Sequence, residues 1–223
     1  MKLRACLWLS FLLFAIFPTT RLRAQSPTED IFRFPLVSQT QNAFLVTSAQ
    51  LAAHPLVKGS FEQEKVLSRL NRSLKSSGNF IIAAGQGMVW DTIKPFPSTL
   101  VLGKDYLIQE RPGGQKTVLS AAGNETFIRM AEVISAVFSG NTRELLENFE
   151  VFYSGTPETW QLGLLPYDKS ITSFAGRIIM GGDSAIRSIV VYEQNGDAVK
   201  YFLHDHNYPK NLSVHEESFF SLP

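Results

Sequence analysis

Val57-Lys58-Gly59-Ser60-Phe61-Glu62-Gln63-Glu64-Lys65 alternates strictly, with Val57, Gly59, Phe61 and Gln63 on one face and Lys58, Ser60, Glu62 and Glu64 on the other. A period of two is the signature of a β-strand with one buried face. The stretch just before it has a different period. From Gln41 to His54, Phe44, Leu45, Ala49 and Ala52 recur at helical spacing, and Pro55 ends the segment because the residue before a proline is pushed out of the helical region.

Further strands are expected downstream, at Leu74 to Ala84, Gln86 to Thr92, Ser98 to Gly103 and Asp105 to Gln109, punctuated by Gly78, Gly85, Gly87 and Gly103. The clearest helix follows. Phe127, Met130, Ala131, Ile134, Val137 and Phe138 form one apolar stripe between Asn124, a capping residue, and Gly140, a stop. A short helix from Thr142 to Asn148 comes next. The alternating pattern then returns at Phe149 to Ser154, Thr159 to Leu165, Ser173 to Met180, Ile186 to Glu193 and Ala198 to His204, with Asn195-Gly196 a strong hairpin signal.

The expected fold is therefore mainly β with a helical lid, an α+β arrangement with no sign of a parallel sheet. A sheet of about ten or eleven strands must curl, and its apolar concave face must be covered. The two amphipathic helices are the available cover, so an incomplete antiparallel barrel under short helices is expected.

At the start of the chain, Lys2 and Arg4 precede an apolar run from Ala5 to Phe17, and Leu22-Arg23-Ala24 offers a small residue for cleavage. This is the order of an export signal. The run holds about a dozen residues where a bilayer span needs roughly 20. Residues 1–24 are read as a cleaved signal peptide, residues 25–40 as an irregular arm and residues 41–223 as one domain. Removing residues 1–24 takes away Lys2, Arg4, Arg21 and Arg23 and no acid, which moves the formal charge from +1 to −3. A mildly acidic chain argues against nucleic acid and against simple electrostatic adhesion to anionic lipid. Cys6 is lost with the signal, so the remainder has no disulfide, thiol nucleophile or cysteine metal site. A periplasmic location follows.

Catalytic chemistry is poorly supplied. His204 and His206 would share a side if their strand continued, but no third ligand stands at a recognisable spacing and Asp205 would face away. Gly85-Gln86-Gly87 and Gly181-Gly182 lack the later glycines and strand-to-helix setting that phosphate binding needs. No catalytic residue, metal or cofactor is assigned, and the chain is read as a non-enzyme. The 17 phenylalanines suit either a solid core or a cavity.

The Val57 to Lys65 stretch, followed by Ser77-Gly78-Asn79-Phe80, Trp90 and Lys94-Pro95-Phe96-Pro97, resembles the periplasmic outer-membrane lipoprotein carriers, the LolA-like proteins. The likeness runs through the helical insertion to Gly196-Asp197, covering most of residues 41–206. It implies a cavity that holds the acyl chains of lipoproteins in transit from an inner-membrane donor complex to an outer-membrane acceptor. A monomer is expected. The residues expected to line the cavity are Phe61, Phe80 and Trp90 from strands and Phe127, Met130, Ile134 and Phe138 from the lid. One departure stands out: where many relatives carry a basic residue and a proline before the tryptophan, a residue thought to latch the lid, this chain has Ala84 and Gly85. The branch with Pro-Phe-Pro after the tryptophan is associated with other acyl or polyene lipids, which makes such a lipid the main alternative cargo. A structural envelope β-domain and a periplasmic hydrolase centred on His204, Asp205 and His206 are the alternatives from other classes.

Overall fold

In the computed structural model, residues 31–103, 106–120, 141–172 and 175–221 are described, with backbone alone for 119, 120 and 170. Their strands are β1 (Leu56–Leu67), β2 (Arg72–Ala83), β3 (Gly87–Lys94), β4 (Ser98–Gly103), β5 (Tyr106–Arg111), β6 (Gln115–Ser120), β7 (Phe149–Thr156), β8 (Thr159–Pro166), β9 (Arg177–Gly182), β10 (Ile186–Tyr192) and β11 (Ala198–Asn207). All belong to one antiparallel sheet in the order β6-β5-β4-β3-β2-β1-β11-β10-β9-β8-β7. Two meanders are thus joined where the first strand pairs with the last, and the sheet ends on β6 and β7 without closing into a barrel. The expected architecture stands, with β6 added to the strands read from sequence.

The alternation in β1 explains the join. Phe61 lies opposite Gly78 on β2 and Leu203 on β11, and Phe61 and Leu203 are each 1% exposed. Gly59 pairs with Phe80, and a Cβ at Gly59 would meet the Phe80 ring at 2.7 Å. The bare glycine backbone is what lets that ring lie flat across β1.

Three departures from the sequence reading have clear causes. The first concerns α1 (Ser38–Ala52), which starts before Gln41 and buries Phe44, Thr47 and Ser48 with Ala43 and Leu51 beside them, while Leu45 and Val46 are exposed. The expected stripe of Phe44, Leu45, Ala49 and Ala52 is therefore rotated, because hydroxyls occupy the inner face. Second, the segment read as irregular up to residue 40 holds a 3₁₀ turn at Ile31–Arg33 and the start of α1 at Ser38. Ile31 packs with Phe152, Ile179 and Val190 on the convex face, and Pro35 bridges Phe152 so that residues 34–36 run along the β7 edge. Third, β9 begins only at Arg177, after the short helix α3 (Lys169–Thr172).

The helix α2 (Thr142–Asn148) matches its expected bounds, capped by Asn141, whose side chain accepts from the Glu144 N–H. A helix not foreseen, α4 (Val214–Phe219), lies on the convex face, where Phe219 and Phe220 pack against Val89, Val101 and Ile108. The helix expected between Asn124 and Gly140, with Phe127, Met130, Ile134 and Phe138, lies outside the described residues, as does the signal segment.

Candidate functional site

The concave face carries two apolar patches that meet at Trp90. One is the large cluster under α1 and α2, formed mainly by β7 to β11 and including Phe149, Val151, Leu162, Leu164, Met180 and Leu203. The other is Met88, Leu102 and Leu107 on β3, β4 and β5. Trp90 and Ile82 touch both.

Aromatic rings make that junction. Phe61 stacks on Trp90 with centroids 4.0 Å apart, Phe80 stacks on its flank at 6.1 Å, and Tyr201 meets it edge-on at 5.3 Å. Of the seven residues picked from sequence as cavity-lining, the structure brings Phe61, Phe80 and Trp90 together, while the other four lie outside the described residues. Sequence reading missed Tyr201 and Met88. Both sit on the inward phase of their strands, a signal that was available. Burial pushes the Tyr201 phenol up to about 12, with Glu193 adding to the effect, so this hydroxyl stays neutral and serves as no base near neutrality.

The cover on this face is fastened lightly. The Thr47 and Tyr153 hydroxyls are 2.7 Å apart in a buried hydrogen bond, and the Phe44 ring sits edge-on to Tyr153 at 5.8 Å. Among the described residues this is the one side-chain hydrogen bond between α1 and the sheet. Burial raises the Tyr153 pKa. No basic latch occupies the Ala84 turn, where the Ala84 N–H instead donates to the Pro55 carbonyl at 2.7 Å, tying down the chain just after α1.

Beyond the C-terminal end of α1 a pocket opens between Leu51, Val57, Phe80, Ile82, Ile186 and Leu203, with His54, His206 and Tyr208 at its rim. Its cavity volume is about 30 Å³. That admits a water or two, whereas ligand pockets usually span roughly 300–1,000 Å³. An acyl chain enters this pocket only if its walls move apart.

The two histidines do not share a side. Asp205 has φ 51°, and two residues of β11, Asp205 and His206, fall opposite the single Gly59 between Ser60 and Lys58 on β1, so a bulge turns the strand. His204 pairs with Ser60 on the outer face, while His206 turns inward to meet Phe80 at 5.8 Å. Arg187 Nη1 lies 3.1 Å from His206 Nδ1, and its Nε donates to both Asp183 carboxylate oxygens at 3.0 Å. Burial and the Arg187 charge hold the His206 imidazole below its ordinary pKa. The same-side placement that an uninterrupted strand would give His204 and His206 is thus not realised. Among the described residues no three histidines or acids are grouped to hold a metal.

The family model described as "Outer membrane lipoprotein carrier protein LolA-like" matches residues 42–207. A search of the curated proteins found no significant match. Among solved structures, a LolA-superfamily protein from Nitrosomonas europaea is similar at 9% identity, covering 81% of this chain and 97% of that one, with a TM-score of 0.47. A putative outer-membrane lipoprotein-sorting domain from Vibrio parahaemolyticus is 10% identical, covering 82% and 100%, with a TM-score of 0.41. LprF from Mycobacterium bovis is 11% identical, covering 81% and 98%, also with a TM-score of 0.41. These scores fall below 0.5, so the assignment rests on the sequence match.

Proposed function

From the premise that the chain belongs to the LolA-like family of outer-membrane lipoprotein carrier proteins, we propose that it is a periplasmic carrier that shields the acyl chains of lipoproteins between an inner-membrane donor and an outer-membrane acceptor. The supporting observation is the apolar concave face with the Phe61, Trp90 and Phe80 stack at its centre, beside a helix that, among the described residues, is joined to the sheet by one side-chain hydrogen bond. Magnitudes favour opening. Burying acyl carbon stabilises by about 0.8 kcal/mol per CH₂, so a long chain supplies on the order of 10 kcal/mol. Opening α1 gives up its hydrogen bond, about 1 kcal/mol net, together with the burial of Phe44 and part of Leu51, about 1.5–3 kcal/mol for a fully buried side chain. Loading therefore displaces the cover, and an acceptor with a competing pocket can draw the chain out again. No catalytic group, metal or cofactor is needed for this, and a monomer suffices.

In this reading Phe61, Phe80 and Trp90 line the cavity from the sheet, and Phe127, Met130, Ile134 and Phe138 line it from the insertion. A polar substitution at Ile134 then weakens lipid binding more than folding. Equal loss of both would count against the lid role.

A second cargo is favoured by one observation. The Ala84 turn presents no cation and is bonded to Pro55, so the lid is not latched in the way attributed to lipoprotein carriers of the better-known branch. A free acyl or polyene lipid is the corresponding cargo. Native mass spectrometry with lipid extraction, on mature protein purified without detergent from its own periplasm, separates the readings. A co-purified acylated lipoprotein supports the first and a free lipid the second. An empty protein that also refuses apolar dyes would remove both.

A further inference from the structure

The strands alternate in direction, so the β1–β2, β3–β4 and β5–β6 turns all lie at one end of the sheet. The β1–β2 hairpin reaches farther than the β3–β4 turn, since Leu67 faces Arg72 across the first turn whereas Lys94, at the start of the second, faces Ser77, five residues along β2. Four large apolar side chains on these tips stand in solvent: Phe96 is 80% exposed, Leu70 65%, Leu74 59% and Ile93 48%. Phe96 lies between Pro95 and Pro97, whose rings fix their own backbone φ and stiffen the tip.

Cations are interleaved with them. Arg69, Arg72, Lys75 and Lys94 on the first two turns and Arg111 on the third are exposed, and among the described residues none has a side-chain hydrogen bond or ion pair. No acid occurs from Val66 to Phe80 or from Thr92 to Lys104. Three nearby acids are engaged, Glu110 with Lys116 at 3.5 Å, Glu193 with Lys65 at 3.0 Å, and Asp197 with the Ser68 N–H at 2.9 Å, while Glu64 faces Lys75 across the β1–β2 pair. The near-neutral total charge, which by itself argues against adhesion to anionic lipid, conceals this segregation.

We propose that this end of the sheet docks on an anionic phospholipid surface, with Phe96, Leu70, Leu74 and Ile93 entering the headgroup–acyl boundary and the five cations meeting the phosphates. Four apolar groups on projecting tips suit a fluid interface that deforms around them better than a preformed protein groove. Unpaired Lys and Arg side chains have the reach to follow mobile headgroups. The docking does not depend on the cargo. A carrier that touches a membrane would gain from it by bringing its acyl chain to the bilayer.

The test is co-sedimentation of the lipid-stripped mature chain with vesicles of phosphatidylcholine alone or mixed with phosphatidylglycerol. Binding is expected to the mixed vesicles only and to weaken with salt. Removing a cation should lower partitioning roughly fivefold, so R69Q/R72Q/K75Q should lose on the order of a hundredfold. Phe96→Ser should lose on the order of tenfold, with an unchanged melting temperature because the ring is exposed. Failure of the unaltered chain to bind the mixed vesicles would overturn the proposal, as would equal binding by both variants. Retention on an immobilised acidic peptide without vesicle binding would reassign the surface to a protein partner and also overturn it. Because no cargo is present, neither result bears on whether the cavity carries lipid.

Discussion

On the concave face α1 rests on Phe44 and Leu51 and is joined to the sheet by the Thr47–Tyr153 hydrogen bond; on the convex face α4 is held at several points. Lys58 Nζ contacts the two Glu216 carboxylate oxygens at 2.5 and 2.6 Å, and the Tyr106 hydroxyl donates to the Phe220 carbonyl at 2.5 Å. Ser213 and Glu216 cap the helix reciprocally, and Phe219 and Phe220 lie against the Val89, Val101 and Ile108 cluster. Both helices bury apolar groups, so burial does not separate a lid from a strap. What differs is the number of polar fasteners, which is low where the proposed function requires opening and high where nothing needs to move.

The largest effect is expected where the concave face is broken outright. Phe80→Ala removes a ring that is 1% exposed and leaves a void beside Trp90, which should cost about 3–5 kcal/mol in denaturant unfolding. It should also reduce uptake of an apolar dye. Normal stability in this variant would mean that the aromatic stack is not a packed unit.

The strap comes next. Burial alone would raise the Glu216 carboxyl, but the hydrogen bond from Lys58 and those from the Ser213 N–H and hydroxyl outweigh it and hold it at about 2. A depressed carboxylate pKa stabilises above the unfolded value and loses that contribution as pH falls toward the folded one. Glu216→Gln should therefore cost on the order of 1–2 kcal/mol near neutral pH after allowing for solvent screening. The difference from the unaltered protein should vanish between about pH 4.5 and 2. Parallel acid titrations of stability check this.

A loss of similar size is expected at the lid fastener. Thr47→Val or Tyr153→Phe alone strands one buried hydroxyl and should cost about 1–2 kcal/mol, while the double variant should cost little more than either. Each should raise apparent affinity for an apolar dye, since an unlatched cover lowers the cost of opening. Additive losses in the cycle would mean the two groups do not act as a pair.

His206 adds a small pH effect of the opposite origin. Its imidazole is held below its ordinary pKa, first by burial and then by Arg187, so the folded state prefers it neutral. Stability should fall as pH drops through the ordinary imidazole range, and His206→Gln should flatten that part of the profile. On the exposed side of α1, Leu45→Ser should change stability by less than about 0.5 kcal/mol, since that side chain leaves the interface alone.

Strand periodicity located ten of the strands because each has one buried face, and the short helix read from Thr142 to Asn148 coincides with α2. The β6 edge was harder to read. Gln115, Lys116 and Thr117 are polar and exposed, so the alternation is faint. The Ser213 to Glu216 capping box was legible and overlooked, because the helix it starts is only six residues long. The inner face of α1 was misread for a physical reason: Thr47 and Ser48 are polar, and only the partner hydroxyl on Tyr153, 106 residues away, makes Thr47 an interior residue. The inward turn of His206 depends on a bulge at Asp205 that no local pattern announces.

Hydrogen–deuterium exchange on the mature protein, lipid-free and loaded with an acyl ligand, tests the lid directly. The account predicts that loading speeds exchange in Ser38–Ala52 and leaves Val214–Phe219 unchanged. Loading that leaves α1 as protected as before, or that loosens the convex strap instead, would contradict it.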